Sequence, residues 1–315
     1  MNGFRAGRTI LAAAAMILYG CSMRPLMVDQ MAAMMAQGIP AYEQEADLVL
    51  LRQAFPAHIK LVEVLQQNDP DHPGIHLLLA QLYGSYAFAV VEHDLERLQF
   101  QPPGDDTARE RKALLLTRAD RCYGRGAEHA LAVLNRRHDG IEGRLARIAS
   151  CDETLAAMTA DDVPALFWYA FNLGSRVNHN RSDLRLVAQA HRAEGAMRRV
   201  IELRPDFYHG AAHIFLMSYY AAQPMALGGR SPQADAHYQA LNEMPGAARV
   251  AAAVFYARDV LVRRQQREAF ESLLAEAGRR AAGGEITGLL DRVAMERATL
   301  LAAAVDRLFA KDLSP

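Results

Sequence analysis

The sequence predicts an all-α protein, and three observations carry that expectation. From Ala46 onward Ala, Leu, Arg and Glu dominate, and apolar residues recur at spacings of three and four, the period of one helix face. No run alternates in Val, Ile and Thr as a half-buried strand does. The breaks between periodic stretches are short, which predicts antiparallel helix hairpins.

The N-terminus comes first in chain order. Arg5 and Arg8 form a basic region, followed by a continuous apolar stretch from Ile10 to Tyr19. A bilayer span needs about 20 apolar residues, so this stretch fits the core of an export signal instead. Leu18-Tyr19-Gly20-Cys21 reads as a lipobox, with an aliphatic residue three places before the cysteine and a small one directly before it. Tyr19 is bulkier than that pattern usually carries. On this reading residues 1–20 are a lipoprotein signal peptide and Cys21 becomes the lipidated N-terminus, because several acyl chains on one residue give stable attachment. The alternative is an ordinary cleaved signal with an incidental cysteine. Ser22, in place of Asp, favours the outer membrane by analogy with Gram-negative sorting. The expected location is the periplasm, held to the membrane by the lipid anchor.

Residues 21–44 read as a Met-rich tether. Met27, Met31, Met34 and Met35 fall at helical spacing, which fits core or a tether lying on the protein better than a soft docking surface. Residues 45–315 then read as a single helical domain of tetratricopeptide-like character. Thr107 and Glu110 form an expected capping box, Asp162 precedes Pro164 in a first turn, Asp183 is placed to cap, and Ser231-Pro232 reads as an N-cap with proline at the first helical position. Breaks are expected at Asp69-Pro70-Asp71, Pro102-Pro103-Gly104, Asp139-Gly140, Arg204-Pro205-Asp206, Gly228-Gly229, Pro245-Gly246 and Gly283-Gly284. Pro70 and Pro205 sit as the closing proline of a tetratricopeptide repeat does. That alignment puts Ala80, Ala193 and Ala234 on small positions and Tyr83 and Tyr238 on aromatic ones, with Leu241 on an aliphatic one. Phe215 stands where a small residue is expected. The repeats are degenerate, and an irregular bundle with chance matches is the competing reading.

Composition excludes some functions. With 51% hydrophobic residues and a net charge of −1, the chain is neither disordered nor an electrostatic nucleic-acid binder. Arginines beside acidic residues, as in Arg109-Glu110-Arg111 and Glu296-Arg297, read as solvated helix faces. No catalytic or cofactor signature survives inspection. Gly124-Arg125-Gly126 lacks the third glycine and the preceding strand of a phosphate loop. His209 and His213, four apart, would share one helix face, but a zinc site needs a third ligand and none is local. The favoured alternative is a cap or groove role for His209 and a buried hydrogen bond for His213. Asp105-Asp106 and Asp161-Asp162 read as helix-start charges rather than as a general acid and base. The expectation is therefore a non-enzyme without metal or cofactor. Beyond Cys21 only Cys122 and Cys151 remain, and in an oxidising compartment either a disulfide between them or two buried thiols fits.

Three consecutive aromatics, Phe167-Trp168-Tyr169, span most of a helix circumference and cannot all enter one core face. Tyr219 and Tyr220, ahead of the Pro224 to Gly229 stretch, pose the same question. The expectation is that Trp168, Tyr169, Tyr219 and Tyr220 approach an inner surface, with ordinary packing between helix layers as the alternative.

These segments resemble the TatT family, tetratricopeptide-like periplasmic lipoproteins associated with tripartite ATP-independent periplasmic (TRAP) transporters. Phe55-Pro56 through Glu63, Leu82 through Phe88, Arg118 through Gly124 and Asp162 through Trp168 carry the resemblance. So do Pro224-Met225-Ala226-Leu227-Gly228-Gly229 leading into Ala234 and Tyr238, then Ala294 through Ala298, and Leu308-Phe309. The Met23 to Met35 stretch departs from it. The resemblance implies a toroidal helical bundle with a central pore or cavity, for which Trp168, Tyr169, Tyr219, Tyr220, Pro224, Gly228 and Gly229 are the candidate lining. It implies association with the solute-binding protein of a TRAP transporter, a ring of three copies, and delivery of a hydrophobic or organic-acid ligand. A tetratricopeptide scaffold for envelope assembly, binding proteins only, is the alternative.

Overall fold

The computed structural model describes residues 26–100, 106–223 and 231–309, so Cys21, Pro224, Gly228 and Gly229 lie outside the described residues. Within them every regular element is helical and there is no strand, as the periodicity predicts. Helix α1 (26–37) leads into the short α2 (Ile39–Gln44) and then α3 (Leu48–Asn68). Next come α4 (Pro73–Tyr86), a π-helical turn at Ala87–Val91, and α5 (Glu92–Phe100). The long α6 (Asp106–Arg137) precedes α7 (Ile141–Ala146), α8 (Ile148–Ala156), α9 (Val163–His179), α10 (Leu184–Val187), α11 (Ala190–Leu203) and α12 (Ala211–Ala221). The chain ends with α13 (Ser231–Glu243), α14 (Arg249–Tyr256), a second π-helical turn at Ala257–Leu261, α15 (Arg267–Ala282), α16 (Leu289–Ala303) and α17 (Val305–Leu308).

The break at Pro102-Pro103-Gly104, like that at Gly228-Gly229, lies outside the described residues, and among those described the breaks end helices for local reasons. Asp47 and Asp183 each accept two backbone N–H groups of the turn that follows, satisfying donors a helix start leaves open. Asp162 reaches back to the Thr159 backbone N–H in a capping box, so the acidic pair before Pro164 does mark a helix start. Gly140, Gly246 and Gly284 take positive φ where turns require it. One expected cap is displaced. Helix α6 already runs at Asp106, so Thr107 lies inside the helix and Arg109 pairs with Asp106 on its exposed first turn.

Long helices pack on one another in chain order: α3 on α4, α4 on α6, α6 on α9, α9 on α11, α11 on α12 and α12 on α13. Ala80, Ala193 and Ala234 are essentially fully buried, which lets these helices approach closely. Phe215, the bulky exception, is met by Gly174, where an added Cβ would fall 2.2 Å from its ring. A deeper junction joins α4, α6 and α9. The Asn172 amide lies against Gly84 and Gly126, and Asn172 Nδ2 donates to Ala80 O (3.1 Å) and Trp168 O (2.7 Å).

The last helices return to the first. Helix α16 packs on α2 and α5, Arg52 pairs with Glu296, and Arg292 Nη2 donates to Gln44 O (3.2 Å). Two hydrophobic cores result, one centred on α3 to α6 and one on α9 to α16, and the rings of Phe88 and Phe171 pack against both. The continuous helix from Pro73 to Phe100 is long and apolar enough to cross a membrane, but most of it is buried among its neighbours, as a core helix is.

Of the Met-rich stretch, Met35 packs against the core and Met23 lies outside the described residues. Val28 and Ala32 are buried against the body, while Leu26, Met27, Met31 and Met34 face outward. The helix lies on the protein by one side only.

Candidate functional site

The seam between the two cores holds a cluster of charges that sequence reasoning missed. Helix α16 buries Leu289, Val293 and Leu301 at intervals of four, and Arg297 occupies the same register. The guanidinium is therefore carried inward, leaving the residue 1% exposed. This overturns the reading of Glu296-Arg297 as a solvated face. The two neighbours part company, Glu296 reaching outward to Arg52 and Arg297 entering the seam. The signal was the four-residue register with buried aliphatics, which outweighs an acidic neighbour.

Both π-helical turns converge here. Each inserts one extra residue into a helix and frees a carbonyl from the regular ladder. In the first, Phe88 O accepts Arg297 Nη2 at 2.8 Å, and the Phe88 ring lies beneath the guanidinium, 4.1 Å from Cζ. The second carries Arg258 and Asp259 themselves. Arg297 Nη2 is 3.0 Å from Glu92 Oε2, and Arg297 Nε is 3.0 Å from Glu96 Oε2. Arg258 Nη1 donates to Glu96 Oε1 (3.0 Å), its Nε donates to Asp259 Oδ1 (2.8 Å), and its Cζ lies 4.6 Å over the Phe255 ring. Glu92 Oε1 also accepts Tyr123 Oη (2.6 Å) and His179 Nε2 (2.8 Å).

The electrostatics follow from this pairing. Burial by itself would raise the Glu92 carboxyl, yet His179, Arg297 and Tyr123 hold it down at about 2. Burial would lower His179, but the bond to Glu92 and its charge raise it. Burial likewise opposes the charges of Arg258 and Asp259, and each outweighs this for the other, raising the first and lowering the second. Burial and then Glu92 push the Tyr123 hydroxyl far upward. The guanidiniums of Arg258 and Arg297, with His179 raised by Glu92, stand against the carboxylates of Glu92, Glu96 and Asp259, so each buried charge in the seam faces an opposite partner. It is not sealed. Arg258 keeps 26% of its side chain accessible, whereas Arg297 Nη1 is buried without a hydrogen-bond partner. The arrangement offers a polar, internally matched wall beside apolar rings. It presents no activated nucleophile, and no group of three potential metal ligands occurs among the described residues.

The aromatics singled out from sequence lie close by in α9 and α12. Trp168 and Tyr169 are buried between helix layers, Trp168 among the rings of Phe167, Phe171 and Tyr208. Tyr220 is buried, donating to Glu194 Oε1 (3.1 Å) and stacking on His237, and the half-buried Tyr219 stacks on Phe215. Two open grooves flank α16, one of about 570 Å³ against residues 46–49 and one of about 470 Å³ against α15, and both are lined by other residues, among them Met295 and Thr299.

His209 and His213 do not share a helix face. Tyr208, His209 and Gly210 form a left-handed turn (φ 48°, 56° and 79°) ahead of α12, which re-aims His209 so that its Nδ1 meets Gly246 O at 3.0 Å. His213 pairs instead with His237, Nδ1 to Nδ1 at 2.9 Å. His76 and His129 form a second such pair between α4 and α6, also at 2.9 Å. Cys122 and Cys151 are free, buried thiols belonging to different cores, and burial raises both.

The model of one protein family, described as TRAP transporter T-component, matches residues 44–309. An uncharacterized protein of Treponema pallidum (strain Nichols) is similar to this chain, with 27% identity over 241 residues, 75% of this chain and 72% of that one.

Proposed function

The chain belongs to the TRAP transporter T-component family, which makes it an accessory component of such a transport system, and on that footing we propose how it acts. It is a non-enzymatic periplasmic lipoprotein, anchored through Cys21, that binds the solute-binding subunit of the transporter. A hydrophobic or organic-acid ligand passes through its interior. The carrying observation is the extent of the match, which takes in the helical body from α3 to the end of α17. The interior seam supports the ligand half of the reading. Apolar rings bind a hydrophobic moiety, and guanidiniums held against them can exchange a carboxylate partner for that of an acid. The packing of α16 on α2 and α5 supports a toroidal bundle with a central pore.

Affinity isolation from native membranes, with the acylated full-length chain as bait, tests the proposal. The expected result is co-purification of a periplasmic solute-binding protein, whose ligand then identifies the cargo. Recovery of envelope-assembly proteins alone would replace this reading with the protein-binding scaffold. The same preparation, run in an analytical ultracentrifuge, reports whether three copies associate.

A further inference from the structure

Helix α1 lies outside the family match, which begins at residue 44. One side of it is fixed to the body, with Val28 and Ala32 buried and Asp29 bonded to His72 Nε2 (2.8 Å). The other side is exposed and largely apolar, with Leu26, Met27, Met31 and Met34 at 55, 59, 42 and 70% exposure and the uncharged Gln30 and Gln37 among them. A water-facing helix normally carries charge there, whereas Arg24 and Asp29 are the only charged residues between Cys21 and Ala41. Chain length limits what can cover this face. Cys21 and Leu26 are five residues apart, and five residues span at most about 18 Å.

We propose that the outward face of α1 rests on the lipid bilayer that holds Cys21, and so fixes how the helical body is oriented on the membrane. The inference rests on the lipid-anchor reading of Cys21. Acyl chains on Cys21 place the start of α1 within reach of the headgroups, and a flexible thioether face suits the boundary between headgroup and acyl chain. Because Val28 and Ala32 tie α1 to the core, seating the helix orients the body instead of leaving it on a free leash.

The test uses the full-length acylated protein in phosphatidylethanolamine–phosphatidylglycerol vesicles, spin-labelled at Met34→Cys, or at Ile148→Cys as a control on an exposed site elsewhere. On vesicles, collision of the residue-34 label with a water-soluble nickel chelate is expected to fall by about five-fold, with a matching rise toward oxygen, while the residue-148 label stays aqueous. The triple variant Met27→Gln, Met31→Gln, Met34→Gln, labelled at Leu26→Cys, should remain anchored but regain aqueous access relative to the Leu26→Cys parent. Equal aqueous access at residues 34 and 148 overturns the proposal. Protection that disappears as the protein is diluted within the bilayer also overturns it, because a second copy would then be the cover. Mass spectrometry of the mature N-terminal peptide reads the premise separately, and an unacylated Cys21 overturns the inference there.

Discussion

At the scale of single residues, the fold depends on a few close approaches and on a buried, paired set of charges. Gly126 and Gly84 have no Cβ because the Asn172 amide occupies that space, and a Cβ on Gly126 would fall 2.5 Å from Oδ1. Gly126→Ala should therefore cost about 1–3 kcal/mol, measured by urea unfolding, because the amide is tied to two carbonyls and cannot turn aside. Arg297 has a sharper asymmetry. Replacing it with Met removes one cation from the seam and leaves Glu92 to His179 and Glu96 to Arg258 alone, which should cost about 3–5 kcal/mol. The double variant Arg297→Met, Glu92→Gln should recover part of that loss, and a double-mutant cycle showing simple additivity would refute the coupling.

At the scale of elements, helix identity was legible because it rests on a repeated period, and breaks were legible because Pro, Gly and Asp act locally. What was not legible depended on a neighbour or on a local departure from the helix. The two π-helical turns have no composition of their own, since AFAVV and ARDVL read as ordinary helix. The left-handed turn at Tyr208-His209-Gly210 carries only one glycine to announce it, so His209 and His213 read as one helix face. That turn is held from outside: His209 O accepts Ala248 N (2.9 Å), and the Gln81 side chain bonds to Tyr208 Oη. Non-glycine residues in this conformation cost about 1–2 kcal/mol each, so the remaining glycine cannot be spared. Gly210→Ala should destabilise by about 1–3 kcal/mol in the same assay, since its φ is 79° and a Cβ would lie 2.8 Å from Leu241 Cδ2.

At the scale of the whole molecule, the buried histidines make stability a function of pH. Burial, reinforced by neighbouring positive charge or a partner histidine, holds His93, His129 and His237 at about 4, against 6.5 for a free side chain. Each is depressed in the fold, so the unfolded chain takes up the proton first as pH falls. Their contribution is complete above pH 6.5 and is lost between 6.5 and 4, at up to about 1.4 kcal/mol per pH unit for each proton. His179 runs the other way. Glu92 raises it, so its contribution is complete below 6.5 and is lost as pH rises through its folded value. Glu92, held at about 2 against 4.5, adds a further loss between pH 4.5 and 2. Burial lowers His213 as well, so four depressed histidines outnumber the single raised one and urea midpoints should fall steadily from pH 6.5 to 4.5. His129 pairs with His76 across α4 and α6, and His237 with His213 across α12 and α13. His129→Gln with His237→Gln keeps a hydrogen-bonding side chain at both sites and removes the titration. That variant should flatten the decline by about half, because His93 and His213 then remain to be protonated against their environments. A parent protein whose midpoint is level over this range would show that these side chains are already free to take up protons in the folded state.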